Sequence, residues 1–144
     1  MRHVKSDDDY ILCLNRGEEI IGIIRDFVRR EKIPSGLISG IGAVMNTRLG
    51  FYHLSKKAYE ERFFVEEAEL VSLSGNASWL DEKPIIHCHI TIGDTQFKAY
   101  CGHLFAAEVA VTAEIFINVK STKVERRFKS EMGLNLFDLP IGAA

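Results

Sequence analysis

The chain opens on a polar stretch, "MRHVKSDDDY", and then settles into apolar runs separated by glycine, proline and charged residues. "YILCLN", residues 10–15, is rich in strand formers and predicts a strand. The next run has a different period. In "RGEEIIGIIRDFVRREK", residues 16–32, Ile20, Ile21, Ile23, Ile24, Phe27 and Val28 recur at helical spacing and leave one polar face. This predicts one long amphipathic helix near the N-terminus, capped by Asn15 with Glu18 three residues on. Glu18 and Glu19 suit the positive end of its dipole, and Arg29, Arg30 and Lys32 the negative end. Pro34 and Gly36 stop it.

A strand-like pattern then takes over. "GLISGIGAVMNTRLGFYHL", residues 36–54, is broken by Gly36, Gly40, Gly42 and Gly50. Gly40-Ile41-Gly42 reads as close backbone packing or a turn; a phosphate-binding loop would need a further glycine and a following helix. After a turn at "SKK", strands are expected at 58–65, 68–79, 84–93, 96–104 and 108–119, with "GDTQ", residues 93–96, as a hairpin connection. The tail, "SEMGLNLFDLPIGAA", has no clear period. One strand, one long helix and a run of strands make an α+β domain with a largely antiparallel sheet. The whole chain, 1–144, fits one domain. One helix covers one face of such a sheet, so the other face or an edge is expected to meet a partner chain.

Composition narrows the class. Apolar residues make up 47% and charged residues 26%, the balance of a soluble globule. No run reaches the ~18 apolar residues of a membrane span, and the N-terminus lacks the apolar segment of a secretory signal. Cys13, Cys88 and Cys101 are an odd set with no CxxC, which suits reduced thiols. Together these give a cytoplasmic expectation with no membrane partner. The net charge of −2 lacks the basic excess of a nucleic-acid binder. The one basic cluster, "KSTKVERRFK", offers Lys120, Lys123, Arg126, Arg127 and Lys129 either as a solvated face or as a nucleic-acid contact.

The chemistry concentrates in "IIHCHITIG", residues 85–93. His87 and His89 share one face of a strand, with Cα atoms ~6.5–7 Å apart. They read either as ordinary polar strand residues or as two ligands of one ion. His103, in "YCGHLF", is the third candidate ligand. A two-residue turn would face it away, whereas an odd-length loop or a bulge brings all three imidazoles to one face. Three histidines with an open position would make a catalytic or ligand-binding centre, zinc being the first choice of divalent ion. Glu114, on the next expected strand, is the candidate proton-transfer or site-lining carboxylate. His3 and His53 lack supporting spacing. Ser39 and Ser74 lack a nucleophile context.

"GLISGIGAV…LGFY", "ELVSLSGNAS", "PIIHCHITIGD" and "GHLF…VTAEIFI" follow in order the blocks of the plants-and-prokaryotes conserved (PPC) domain, which the chain resembles over roughly residues 8–137. The resemblance implies an α+β fold, a homotrimer, and a stand-alone prokaryotic type that is regulatory or DNA-associated. It also implies His87, His89 and His103 as the family's histidines and Glu114 as the glutamate of its T-A-E segment. The fold is similar to that of acetolactate decarboxylase, whose histidines hold a metal. That similarity implies, as the alternative, a metal-dependent enzyme on a small carbonyl or carboxylate substrate. The chain departs from the pattern at Ala106-Ala107, where many members have Glu-Gly, and at Cys101, where glycine is usual. It has no Arg-Gly-Arg minor-groove reader.

Overall fold

The structure is a computed structural model and describes residues 1–140. The elements in chain order are β1 (Arg2–Ser6), β2 (Asp9–Asn15), α1 (Ile20–Arg30), β3 (Ser35–His53), β4 (Ala58–Phe64), β5 (Ala68–Leu80), β6 (Lys83–Gly93), β7 (Ala99–Lys120), β8 (Arg126–Lys129) and β9 (Leu134–Phe137). The first seven strands form one antiparallel sheet in the order β1-β2-β7-β6-β5-β3-β4, and β8 and β9 form a separate hairpin. β3 also pairs with β7. The ring β3-β5-β6-β7 is therefore closed by hydrogen bonds, and its strands have an inner and an outer face.

The expected strands 96–104 and 108–119 are one element of 22 residues, β7. Ala106 and Ala107 looked like a break, but Ala107 is buried and continues the inward row Leu104, Val109, Ala113, Ile115 and Ile117. Irregular pairing of Met45, Arg48 and Leu49 on β3 accommodates the change of register along it. Gly40 and Gly42 flank a bulge in the β3–β5 pairing, not a phosphate loop. A Cβ on Gly42 would lie 2.2 Å from the Thr112 carbonyl oxygen, so the glycine is what lets β3 approach β7.

The helix is short. The expected 16–32 contracts to Ile20–Arg30, 11 residues. Residues 17–19 are held by β7 instead: Gly17 N–H donates to the Val109 carbonyl, and Val109 N–H to that of Glu18. Glu19, rather than Asn15, is the cap, its carboxylate accepting from the backbone of Ile21 and Gly22. Glu18 does reach back to the Asn15 N–H as a capping box would, but before the helix has begun. α1 packs on β6 and β7 and buries Ile20, Ile24, Phe27 and Val28. Phe27 meets the rings of Tyr10 and His3, each edge-on at 5.0 Å.

β1, β8 and β9 lie in segments where no strand was expected. Each is short and has little buried apolar surface, so the alternation that marks a strand is missing there. Among the described residues, no helix is long and apolar enough to cross a membrane.

The outer face away from α1 carries an apolar row. Val4 pairs with Ile11, Ile11 with Phe116, Phe116 with Ser39, Ser39 with Ser74, and Ser74 with His89. Leu37 and Ile41 flank this row, each 56% exposed. The histidines therefore share a face with this exposed apolar row.

Candidate metal centre

β6 and β7 are joined by residues 94–98, an odd-length loop. Asp94 closes it. Its carboxylate accepts from the N–H groups of Gln96 at 2.8 Å and Lys98 at 2.9 Å, and from the Tyr100 hydroxyl at 3.2 Å. The Lys98 backbone bond leads in holding the Asp94 carboxyl below its ordinary range. Gly93 then faces Ala99, and His89 faces His103. The parity needed for a shared histidine face is met, with His89 rather than His87 as the direct partner of His103.

The pleat does the rest. Cys88 and Ile90 point into the core, so His87 and His89 point out. Burial pushes the Cys88 thiol up to about 12, which leaves it a neutral core group. The three ring centroids lie 5.2 Å (His87–His89), 5.0 Å (His87–His103) and 5.6 Å (His89–His103) apart. One ring nitrogen from each lies within 4.8 Å of the other two. Tetrahedral zinc at 2.0–2.1 Å asks for roughly 3.4 Å between ligand nitrogens, a contraction within reach of small side-chain rotations.

The donor set fits a cation. Nδ1 of His103 is buried and has no hydrogen-bond partner. Burial, with His87, His89 and Arg126 nearby, lowers the His103 pKa to about 4. Burial also leads in lowering that of His87, followed by the charge of Arg126 and then His89. Both imidazoles are therefore neutral near pH 7, the form that ligates metals. Tyr59 and Phe105 wall the far side of His103 at 5.1 and 4.8 Å between ring centroids. Burial raises the Tyr59 phenol, so it stays protonated beside the centre.

The other expected site residues fall elsewhere. Glu114 faces Cys13 and Ile41 in the exposed row and is not among the groups gathered at the histidines. Phe116, two residues on from Glu114, connects to His89 through Ser39 on β3 and Ser74 on β5. The basic cluster does not assemble into a free patch. Lys123 pairs with Glu82 at 2.8 Å and Glu125 at 2.7 Å, while Arg127 and Lys129 both pair with Asp138. Lys120 ends β7 opposite Ser35.

Arg126 is different. It turns inward from β8, and its Nη2 stands 3.5 Å from Nδ1 of His87. Sequence reading grouped it with its basic neighbours and missed it as a site residue. Asn76, directly across from His87 on β5, and Tyr59 were missed as well. The legible signal for Asn76 was its place in "SLSGNAS", whereas Tyr59 and Arg126 arrive through tertiary packing alone.

A β-rich domain closed around one strand pair, with three histidines converging on its outer face, defines the class. The chain belongs to the Plants and Prokaryotes Conserved (PCC) domain family, whose profile matches residues 1–120. Among solved structures, a candidate DNA-binding protein from Bacteroides thetaiotaomicron is 33% identical, with TM-score 0.92, covering 95% of this chain and 96% of that one. A metal-containing protein from Archaeoglobus fulgidus is 34% identical, with TM-score 0.84 and coverage of 91% and 93%. A plant- and prokaryote-conserved protein from Pyrococcus horikoshii is 30% identical, with TM-score 0.85 and coverage of 97% and 95%. No curated protein is similar enough to match the chain.

The lowered His103 pKa has a consequence for stability. The unfolded chain binds a proton at this residue near 6.5, the folded chain only near 4. Between those values the unfolded state holds more protons, so stability falls as pH drops from 6.5 to about 4 and levels off below. Urea midpoints of chelator-treated protein, measured from pH 7.5 to 4.5, should show this decline. His103→Phe should flatten it in part, since His87 contributes in the same direction. An unchanged slope would mean that His103 is not desolvated.

Proposed function

We propose that the protein holds a divalent metal ion, zinc first, through His87, His89 and His103. The observation that carries this reading is the buried, unpartnered Nδ1 of His103 within a cluster whose ligand atoms lie inside 4.8 Å. An imidazole set suits zinc, and three protein ligands leave a coordination position open, as in ligand-binding or catalytic centres. The bound ion supplies Lewis acidity toward a small carbonyl or carboxylate compound, which is the enzymatic form of the proposal. Around it, Tyr59 remains a neutral phenol and Phe105 shields His103 from water. The similarity to the metal-containing Archaeoglobus protein supports the reading.

Zinc titration of untagged protein by calorimetry is the test. One site per chain is expected, with a raised melting temperature on loading. His103→Ala and His89→Ala should each weaken zinc binding beyond the ~10–100-fold typical of losing a supporting outer residue. Equal zinc affinity in wild type and both variants would refute the centre.

The 1–144 chain is proposed to act as one domain, in the cytoplasm where Cys13, Cys88 and Cys101 stay reduced, and to assemble as a homotrimer. Val4, Ile11, Leu37, Ile41 and Phe116 supply the apolar surface that assembly would cover. Light scattering should give three times the 16.2 kDa chain mass, and Phe116→Glu should lower it. A wild-type mass of one chain would remove the assembly.

A second reading, a DNA-associated or regulatory role, rests on the similarity to the Bacteroides protein. With Lys123, Arg127 and Lys129 each beside a carboxylate, any binding should be weak and strongly salt-sensitive. Fluorescence anisotropy with duplex DNA at about 50 mM salt tests it, and no binding under that condition would dismiss it.

A further inference from the structure

We propose that Arg126 and the histidine centre together form a receptor for a small, largely apolar carboxylate. This deepens the metal reading above and rests on it for the ion.

The argument starts from a charge without a counter-charge. The Arg126 guanidinium is half-buried, and its neighbours are all neutral. Nε donates to Ser78 Oγ at 2.7 Å, Nη1 to the Asn135 carbonyl at 2.9 Å, and Nη2 to Asn76 Oδ1 at 3.0 Å. Among the described residues, no carboxylate lies within ion-pair distance of it, whereas Lys123, Arg127 and Lys129 close by each have one. Arginine cannot shed its proton to relieve the cost. A partly buried cation kept in this state calls for an anion from outside the chain.

The metal sharpens that demand. Three imidazoles are neutral ligands, so a bound divalent ion keeps its full charge. Nη2 of Arg126 stands 3.5 Å from Nδ1 of His87, beside that ion. Two positive centres so placed repel unless a negative group lies between them. Of the five guanidinium N–H groups, three go to these oxygens and a fourth, on Nη2, faces Nδ1 of His87 at 3.5 Å, which leaves one on Nη1 unengaged. A charged donor left free beside the ion suits a carboxylate oxygen.

The cavity selects the rest of the ligand. It measures about 240 Å³, below the ~300–1,000 Å³ of sites for drug-sized molecules, so the occupant has few carbons. His87, His103 and Arg126 line its polar side, and Tyr59, Leu134 and Leu136 its apolar side. The apolar wall gives no advantage to inorganic phosphate and rewards a short hydrocarbon attached to a carboxylate. Leu134 and Leu136 come from β9, paired with the strand that carries Arg126. The hairpin is tied down at its tip, where the Tyr52 hydroxyl donates to the Met132 carbonyl and Lys57 Nζ to that of Ser130. It lies after residue 120, where the family match ends, so the receptor is built partly from a segment outside that match.

Butyrate is the probe, titrated by calorimetry into untagged full-length protein with and without zinc. Zinc-loaded wild type should bind it, and Arg126→Gln should weaken that binding roughly 10- to 100-fold, the range for a hydrogen bond to a charged group. Zinc affinity should stay equal or rise in this variant, because a neighbouring cation has been removed; a merely structural arginine would weaken both. Arg126→Lys should recover only part of the butyrate affinity, since it keeps the charge and loses the planar donor set that holds Arg126 in place. Equal butyrate binding by wild type and Arg126→Gln overturns the inference while the metal centre stands. Phosphate binding as tightly as butyrate at matched ionic strength overturns the choice of carboxylate. Absence of zinc binding is the failure of the metal reading instead; Arg126-dependent butyrate binding to metal-free protein then upholds the arginine site, and its absence overturns it. If Arg126→Gln does not fold, Arg126→Lys decides, with unchanged butyrate affinity counting against the proposal.

Discussion

Asp94 closes the loop between β6 and β7 with two backbone bonds and one to Tyr100, and this clasp fixes the register on which the histidine centre depends. Strand side chains alternate between faces, so a slip of one residue would turn His103 inward and put Gly102 or Leu104 outward. The register is also enforced from the far edge. β7 pairs with β3 from His103 to Lys120, and its inward row of Leu104, Val109, Ala113, Ile115 and Ile117 is fully committed to the core. Moving β7 would expose that whole row. The outward position of one histidine is thus held by hydrophobic burial along a strand of 22 residues.

Two electrostatic facts meet at the centre. Burial keeps His87 and His103 neutral, and Arg126 brings a positive charge with no acidic partner. Neutral nitrogens favour a metal ion, while a lone guanidinium opposes one unless an anion accompanies it. On the proposals above, ion and anion occupy the centre together. The centre also lies in the same cross-strand row as Ile11 and Phe116, reached through Ser39 and Ser74. In the proposed assembly, a partner chain covering that row would come close to the site.

Much of this was legible in the sequence, and the failures have identifiable causes. The strands at 58–64, 68–80 and 83–93 were read nearly to their ends because their apolar alternation is uninterrupted or bounded by clear turns. His87 and His89 were readable as a pair from strand parity, but the expected turn at residues 93–96 would face His103 away; the five-residue connection 94–98, with β7 starting at Ala99 rather than 96, brings it to their face. The helix was read too long because Arg16 to Glu19 match a helical start, and the tertiary pairing of Gly17 and Glu18 with Val109 and of Glu19 with Glu108 cancels it. The expected strands 96–104 and 108–119 left out residues 105–107, which the structure keeps in β7 with Ala107 buried. Arg126 looked like any residue of a basic run. Its distinction, neutral partners where its neighbours have acidic ones, is a property of the hairpin packing and leaves no mark in the local sequence. Glu114 was attached to the site by its place on the next expected strand and by its likeness to a family segment, but that strand is a continuation of β7 itself, and Glu114 is not among the groups gathered at the histidines.

Anomalous diffraction at the zinc edge, from crystals of untagged protein grown with zinc, tests the central claim most directly. The account expects one strong peak per chain among the ring nitrogens of His87, His89 and His103, at bonding distance of ~2.0–2.1 Å from each. No peak there, or a peak held by other residues while the three imidazoles stay apart, would contradict it.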